Sequence, residues 1–308
     1  MRLEIGLDGV RRDPASVVTV GTFDGIHLGH QAILRQLERY AAQCGGMSTL
    51  VTFDPHPGDV VRGQVTPLLT TVEEKAAVLE SLGLGRLVVV PFTRTFAALS
   101  AAEFVRTVLV DQIGMQQIVA GYDHGFGRGR EGDAGLLRHL GARHGFGVRV
   151  VEAQAVGSRV VSSRMIRDLL RKQGDAAAAE ALLGRPYALT GTVMPGAGRG
   201  RTLGFPTANL KVDNSSKLLP QRGVYAVRVH TGGELKGGMM NIGVRPTVEQ
   251  STGVHLEVHL FDFSGNLYRR PLTVEFAKRI RDEKHFESLE ALSNRLALDE
   301  KKCRALVP

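Results

Sequence analysis

Two histidines, His27 and His30, lie three residues apart in a glycine-rich segment that reads GTFDGIHLGH from Gly21 onward. A β-branched run precedes the segment and an amphipathic pattern follows it, so we predict that it joins a strand to a helix. Gly21 and Gly25 would let the backbone approach a ligand, and the helix N-terminus would offer free N–H groups to a phosphate. Two imidazoles there could stabilise charge that develops on a phosphoryl group. An isolated pair with this spacing is more commonly a capping pair or a metal site, and neither a G-x-G-x-x-G fingerprint nor a G-K-[ST] loop is present here.

Two further segments carry groups that suit phosphate binding. Ser162 and Ser163 precede a predicted helix that also carries Arg167, so N-cap hydroxyls and a guanidinium fall together. Alone, such a segment is an ordinary N-cap. The second segment, GAGRGRTLG from Gly196 to Gly204, alternates glycine with arginine. It fits either a phosphate-cradling loop or an RGG-like nucleic-acid segment, and the apolar FPTANL that follows favours the loop.

Glu257 lies in an alternating run that reads HLEVHLFD and predicts a strand. The apolar residues Leu256, Val258 and Leu260 share one face of that strand, so the Glu257 carboxylate faces away from the core. On pattern alone this is a solvated carboxylate on the open face of a strand.

The elements around the first group alternate between strand and helix. The predicted strands are residues 17–20, 49–53, 86–90, 117–121 and 148–152, and the predicted helices are residues 29–43, 73–82, 101–112 and 134–144. This alternation favours an α/β domain with a Rossmann-like parallel sheet and helices on both faces. Ligands of such sheets bind beyond the carboxyl ends of the strands, where the GTFDGIHLGH segment would lie.

After Gly184 the pattern changes to closely spaced strands, which favour a small antiparallel β-barrel. They are residues 187–194, 223–230, 235–242, 254–262 and 272–278. A last amphipathic helix is predicted from Ser288, with four leucines near one face. These are Leu289, Leu292, Leu296 and Leu306. We therefore predict two domains, residues 1–185 and residues 186–308.

The composition excludes several classes of protein. The 308 residues carry 39 Lys plus Arg against 31 Asp plus Glu, a formal charge of +8, and no apolar run is long enough to span a bilayer. Two cysteines and a start without an apolar signal core predict a cytoplasmic protein without a disulfide framework. The charge also fits an RNA-binding module, but the chain has no Trp and only 6% aromatic residues. We expect acidic small molecules as partners, and neither nucleic acid nor membrane; nothing in the sequence predicts the oligomeric state.

Taken together, these segments resemble the bacterial bifunctional riboflavin kinase/FMN adenylyltransferases, the FAD synthetases of prokaryotic type. GTFDGIHLGH resembles the H-x-G-H signature of nucleotidyltransferases, and the block that runs from Gly196 through FPTANL closely resembles the flavokinase signature. The other matching segments, in family order, are TFDPHP at 52–57, GYDHGFG at 121–127, REGD at 130–133, SSRMIR at 162–167, GVYAV at 223–227, NIGVRPT at 241–247 and IRDEKHF at 280–286. The resemblance covers nearly the whole chain.

For the N-terminal domain, the resemblance implies adenylyl transfer from ATP to FMN, which gives FAD and pyrophosphate. His27 and His30 would be the catalytic residues. The residues implied in binding ATP and its phosphates are Gly21, Phe23, Asp24, Gly29, Ser162, Ser163 and Arg167. Asp123 and Phe126 would contact the flavin.

For the C-terminal domain, the resemblance implies phosphorylation of riboflavin by ATP to give FMN. Glu257 would be the general base for the riboflavin 5′-hydroxyl, and Arg281 would contact the flavin. Thr207 and Asn209 would coordinate Mg²⁺ and the ATP phosphates, since hydroxyl and amide oxygens are hard ligands. The other residues implied in phosphate binding are Gly198, Arg201 and Gly204.

Three positions depart from the family pattern. His124 and Gly125 stand where the family has Phe and commonly a basic residue, and Arg164 stands where Thr is usual. These departures leave open an enzyme in which the kinase alone is active. A different H-x-G-H transferase is a further alternative, which the flavokinase block disfavours.

Overall fold

The computed structural model describes residues 1–156, 159–196, 199–244 and 253–307 of the chain. The chain divides into two units, Met1–Ser163 and Arg164–Pro308. The segment before residue 185 is counted with the second unit because it packs there: the Gln221 N–H donates to the Leu170 carbonyl at 2.8 Å. The catalytic-domain boundary after residue 185 stays a prediction.

The N-terminal unit is built on a six-stranded sheet in which all paired strands are parallel. Its strands are β1 (Arg2–Ile5), β2 (Ser16–Val20), β3 (Ser48–Asp54), β4 (Arg86–Pro91), β5 (Met115–Gly121) and β6 (Gly147–Val151). They lie in the order β1-β4-β3-β2-β5-β6. From β2 the chain adds β3 and β4 on one side, and then adds β5 and β6 on the opposite side of β2. The loops after β2 and β5 therefore diverge from a topological switch point, where open α/β sheets bind ligands.

Both faces of this sheet are covered, as its apolar strands require. Val18, Val51 and Val88 belong to one apolar core, and residues one position away along the same strands belong to the other. The helices are α1 (Leu28–Cys44), α2 (Pro57–Arg62), α3 (Val72–Ser81), α4 (Arg94–Ala97), α5 (Ala101–Glu103) and α6 (Ala134–His144), with a π-helical segment at Phe104–Ile113. A short hairpin of β7 (Ala155–Val156) and β8 (Arg159–Val160) follows.

The chain continues through α7 (Ser163–Asp168), a π-helical segment at Leu169–Gln173 and α8 (Ala176–Leu183) into a closed antiparallel barrel. The barrel strands are β9 (Tyr187–Met194), β10 (Ala208–Lys211), β11 (Gly223–Thr231), β12 (Glu234–Val244), β13 (Val254–Leu260) and β14 (Pro271–Arg281). They close in the order β10-β13-β12-β11-β14-β9. The helices of this part are α9 (Arg199–Thr202) and α10 (Leu289–Arg304). The predicted fold class, a parallel α/β unit followed by a small barrel and a helix, is confirmed.

The predicted apolar face of the last helix is wrong in part. Leu289 is 70% exposed and Leu306 lies beyond the end of α10. The buried residues of α10 are instead Asp299 and Cys303. The charge of the buried Asp299 is balanced by Arg281 at the end of β14. Within the described ranges, no helix has both the length and the apolar character that a membrane span requires.

Candidate active sites

The GTFDGIHLGH segment forms the loop between β2 and α1, at the switch point of the parallel sheet. His27 is the N-cap of α1, and its Nδ1 accepts a hydrogen bond from the His30 backbone N–H at 3.4 Å. Because Nδ1 is the acceptor, the neutral imidazole carries its proton on Nε2. The cap therefore prepares His27 to donate a hydrogen bond from Nε2.

Three rings of this loop form a continuous stack. The His27 and His30 imidazoles lie 3.7 Å apart at an angle of 17°, and the Phe23 ring lies 4.5 Å from His30. Gly29 leaves room for the stack, since a Cβ at this position would lie 3.1 Å from the His27 ring. The structure thus brings together four of the predicted residues, Phe23, His27, Gly29 and His30.

Asp24, within the loop, is buried, and its side chain contacts protein backbone. Its carboxylate oxygens accept hydrogen bonds from the Leu69 N–H at 2.9 and 3.0 Å, and Oδ1 accepts one from the Thr70 N–H at 3.0 Å. The Asp24 carbonyl accepts a hydrogen bond from Ser163 Oγ at 2.8 Å. Ser163 therefore adjoins the loop at the start of α7, Ser162 precedes it on the exposed surface, and Arg167 lies further along α7.

The segment after β5 carries the residues predicted to contact flavin. Phe126 is buried, packs against Phe104 with the ring centroids 6.4 Å apart, and pairs with Gly132 through two backbone hydrogen bonds. His124 stacks on Phe126 with the ring centroids 5.4 Å apart. Burial lowers the pKa of His124 to about 4, and nearby Arg130 adds to this effect. His124 is therefore neutral at physiological pH, like the Phe that it replaces.

The side chain of Arg130 lies next to Gly125. A Cβ at this position would lie 2.8 Å from Nε of Arg130, whose guanidinium also donates to the Asp123 carbonyl at 3.2 Å. Asp123 itself is exposed. A guanidinium from Arg130 thus occupies the space beside Gly125, where the family commonly has a basic side chain.

In the barrel, strand pairing places the predicted metal ligand beside the predicted base. Asn209 on β10 is the cross-strand partner of Glu257 on β13, and Glu257 is also the partner of Asn241 on β12. All three residues line a cavity of about 910 Å³. Other residues that line it are Gly200, Phe205, Thr207, His255, His259, Arg281, Glu283 and Phe286.

The glycine–arginine loop folds onto this cavity. The Phe205 N–H donates to the Gly200 carbonyl at 2.8 Å, and a Cβ at Gly200 would lie 3.2 Å from Thr207 Oγ1. Gly204 has a φ of +81°, and Arg201 is exposed on α9. Gly198 lies outside the described residues. The ordered packing of Gly200 and Phe205 agrees with a phosphate loop.

Thr207 and Asn209 offer neutral oxygens to a cation, with the Glu257 carboxylate opposite Asn209. Among the described residues, no group of three His, Cys, Asp or Glu side chains could hold a metal ion. Hydroxyl and amide oxygens are hard ligands of the kind that Mg²⁺ accepts alongside substrate phosphates.

Arg281 is already engaged by the protein. Its Nε donates to Asp299 Oδ2 at 2.7 Å, and its guanidinium lies 5.7 Å from the centre of the Phe286 ring. His259 Nδ1 donates a hydrogen bond to the Pro206 carbonyl, next to Thr207, at 2.8 Å. Sequence reasoning missed Asp299, His259 and Asn241, although strand pairing around Glu257 would have indicated Asn241 once the register was known.

Comparisons with known proteins match two different family models to two parts of the chain. The family model for FAD synthetase matches residues 10–165, and the model for riboflavin kinase matches residues 183–307. A bifunctional riboflavin kinase/FMN adenylyltransferase of Pseudomonas fluorescens is 40% identical over 99% of this chain and 98% of its own length. The enzyme of the same name from Listeria monocytogenes is 38% identical over 95% and 93%.

A solved structure also superposes on the chain. It is described as a macrolide-efflux protein from Streptococcus pneumoniae, with a TM-score of 0.89, 29% identity and coverage of 99% of both chains. The identity and near-complete coverage of the two enzymes from Pseudomonas and Listeria identify the family. The chain belongs to the bifunctional riboflavin kinase/FMN adenylyltransferases.

Proposed function

We propose that the two activities of this family, which convert riboflavin to FMN and FMN to FAD, are divided between the barrel cavity and the GTFDGIHLGH loop. The catalytic domains would be residues 1–185 and 186–308. Because both reactions consume ATP, we also propose that the enzyme works in the cytoplasm. The observation that carries the proposal is the pair of stacked imidazoles at the switch point, together with Glu257 as the cross-strand neighbour of Asn209 in the barrel.

At the N-terminal site, an FMN phosphate oxygen attacks the α-phosphorus of ATP and pyrophosphate leaves. His27 donates from Nε2 to the phosphate oxygens, and His30 stabilises the charge that develops on them. Gly21 and Gly29 let the backbone approach the nucleotide, and Phe23 supports the imidazoles. Ser162, Ser163 and Arg167 bind the triphosphate. No covalent nucleophile is needed, since positioning and charge stabilisation suffice for such transfer.

In this proposal the segment after β5 binds the flavin of FMN. Asp123 offers an exposed carboxylate, and Phe126 supports His124 from the core side. Because His124 is neutral, it presents a flat, uncharged ring of the kind that stacks on an aromatic ligand.

In the barrel, Glu257 takes the proton of the riboflavin 5′-hydroxyl, whose oxygen attacks the γ-phosphorus of ATP as ADP leaves. Thr207 and Asn209 would hold Mg²⁺, which when bound neutralises charge on the phosphates. Gly198, Gly204 and Arg201 belong to the loop that covers those phosphates. Arg281 orients the flavin.

The test is a time course in which the purified chain is incubated with riboflavin, ATP and Mg²⁺, and the flavins are separated. We expect FMN first and FAD later. FMN without FAD would contradict the proposal for the N-terminal site, and no flavin product would contradict both. Omission of Mg²⁺ in the presence of a chelator should stop both steps, and restoration with Mg²⁺ should recover them.

A further inference from the structure

Lys75 is a buried lysine that the mechanism above does not use. It lies on α3 with only 5% of its surface exposed. Its Nζ donates to the Thr22 carbonyl at 2.7 Å and to Thr52 Oγ1 at 3.0 Å. A buried lysine is costly unless its ammonium finds such partners, so its place beneath a catalytic loop calls for a function.

The two acceptors belong to the carboxyl ends of neighbouring strands. Thr22 follows β2 and begins the loop that carries the histidines, and Thr52 lies near the end of β3. Thr52 Oγ1 itself donates to the Thr22 carbonyl at 3.1 Å. Lys75 and Thr52 thus fix the point at which the loop leaves the sheet.

The loop needs such support because its backbone is strained. Phe23 has a φ of +45° and Ile26 a φ of +41°, and both are residues that rarely adopt this conformation. Each such residue costs on the order of 1–3 kcal/mol and persists only where the surroundings fix it. The two strained residues flank Asp24 and Gly25, and Ile26 directly precedes His27.

A second set of hydrogen bonds fixes the middle of the loop. Asp24 accepts the Leu69 and Thr70 N–H groups, and the Gly25 N–H donates to Thr70 Oγ1 at 3.0 Å. Burial lowers the pKa of Lys75 to about 8, while the carboxylates of Asp24 and Asp54 act in the opposite direction. Lys75 and Asp24 are thus two buried polar side chains that hold the same turn, Lys75 at Thr22 and Asp24 at Leu69 and Thr70.

We propose that Lys75 is a positioning residue for adenylyl transfer, which holds the Phe23–Ile26 turn so that His27 and His30 stay stacked and aimed at the phosphates. The inference rests on the proposed function of these histidines. It assigns Lys75 no contact with substrate, so its removal should lower the rate of the chemical step more than the affinity for ATP or FMN.

The experiment compares the full chain with Lys75→Met, which keeps the length of the side chain and removes its charge and donors. We expect kcat for FAD formation from FMN to fall about 10- to 100-fold, as misplacement of catalytic groups does, with both KM values within about threefold. Riboflavin kinase activity of the same sample should be unchanged and serves as the internal control.

Thr52→Val decides the case if Lys75→Met fails to fold, because it removes one hydroxyl at nearly constant volume. Its matched control is Thr49→Val, a buried threonine on the same strand whose hydroxyl accepts from Arg86 instead, at 3.1 Å. We expect Thr52→Val to lower kcat about 3- to 10-fold and Thr49→Val to leave it unchanged.

Three results would overturn the inference: unchanged kcat in folded Lys75→Met, raised KM values at constant kcat, or equal losses in Thr52→Val and Thr49→Val. His27→Ala is measured in parallel. If it leaves FAD formation intact, the proposed function fails; if it abolishes FAD formation while Lys75→Met and Thr52→Val do not lower kcat, only the inference about Lys75 fails.

Discussion

In the N-terminal unit the proposed catalytic histidines follow a loop with two left-handed residues, Phe23 and Ile26, whereas in the barrel Asn209 and Glu257 are partners on adjacent strands. The loop is fixed by buried polar contacts, above all those of Lys75 on α3 and of the loop's own Asp24 with Leu69. The barrel pair is fixed by backbone register, which sets the face and neighbour of every side chain. The first site therefore depends on a few polar contacts, and the second on the closure of the barrel.

The largest effect should follow from Glu257→Gln. Loss of the general base should lower the rate of FMN formation about 10²- to 10⁴-fold, while FAD formation from supplied FMN stays unchanged. The measurement is initial rates of both reactions on one sample. Glu275→Gln, on β14 and paired with His230, is the matched control and should leave both rates unchanged. Loss of both activities in Glu257→Gln would show that the two sites are not independent.

His27→Ala should have the next largest effect, in the opposite half of the chain. Removal of this proposed donor to the phosphates should lower FAD formation about 10²- to 10³-fold and spare FMN formation. His139→Ala, an exposed histidine on α6, is the control. A variant at His27 that forms FAD at the normal rate would show that the stacked pair only caps α1.

Asp299→Asn tests whether the barrel site also depends on a buried charge. Asp299 is fully buried and pairs with Arg281 at 2.7 Å, so the substitution leaves a partly buried guanidinium without its counter-charge. We expect the free energy of unfolding of the barrel to fall by about 3 kcal/mol and KM for riboflavin to rise. Denaturant unfolding and kinase assays measure the two effects. Glu300→Gln, which removes an exposed pair with Arg304, should cost less than about 1 kcal/mol. Equal losses in the two variants would contradict this role.

The smallest effect, and one confined to acid, is expected for His124→Phe. The pKa of His124 in the folded chain is about 4, below its ordinary value of 6.5, so the unfolded chain binds the proton more readily between these values. Stability is therefore lost as the pH falls from about 6.5 to about 4, by at most about 3 kcal/mol. Phe at this position should remove that loss, which unfolding curves at pH 7 and pH 4.5 would detect. An unchanged difference between the two pH values would contradict the assignment.

Much of the fold follows from local pattern. The five strands predicted for the N-terminal unit are present, and four of them are β-branched runs that are mostly buried, a distinctive pattern; the fifth, β6, is mostly exposed. Strand β10 was not predicted, since it is only four residues long and lies within a motif that reads as a loop. The edge strand β1 was missed as well, because its alternation is short and mostly exposed.

The residues that support the two sites could not be predicted from sequence patterns. The spacing of His27 and His30 predicts that they share one side of a helix start, and the rings do stack. Lys75 is 45 residues or more from the histidines in the chain, in an ordinary amphipathic helix, and nothing local distinguishes it from a surface lysine. Only the tertiary structure brings it to Thr22 and Thr52.

The space beside Gly125 has a consequence for how this chain can change. A side chain at position 125 would require the guanidinium of Arg130 to move, since a Cβ would lie 2.8 Å from Nε of Arg130. The effects of substitutions at these two positions should therefore be epistatic. A lysine introduced at position 125 adds a second cation to that of Arg130, whereas the same lysine introduced after Arg130→Ala supplies one that is missing. The order of the two substitutions then decides whether the intermediate chain has two positive charges at these positions or none.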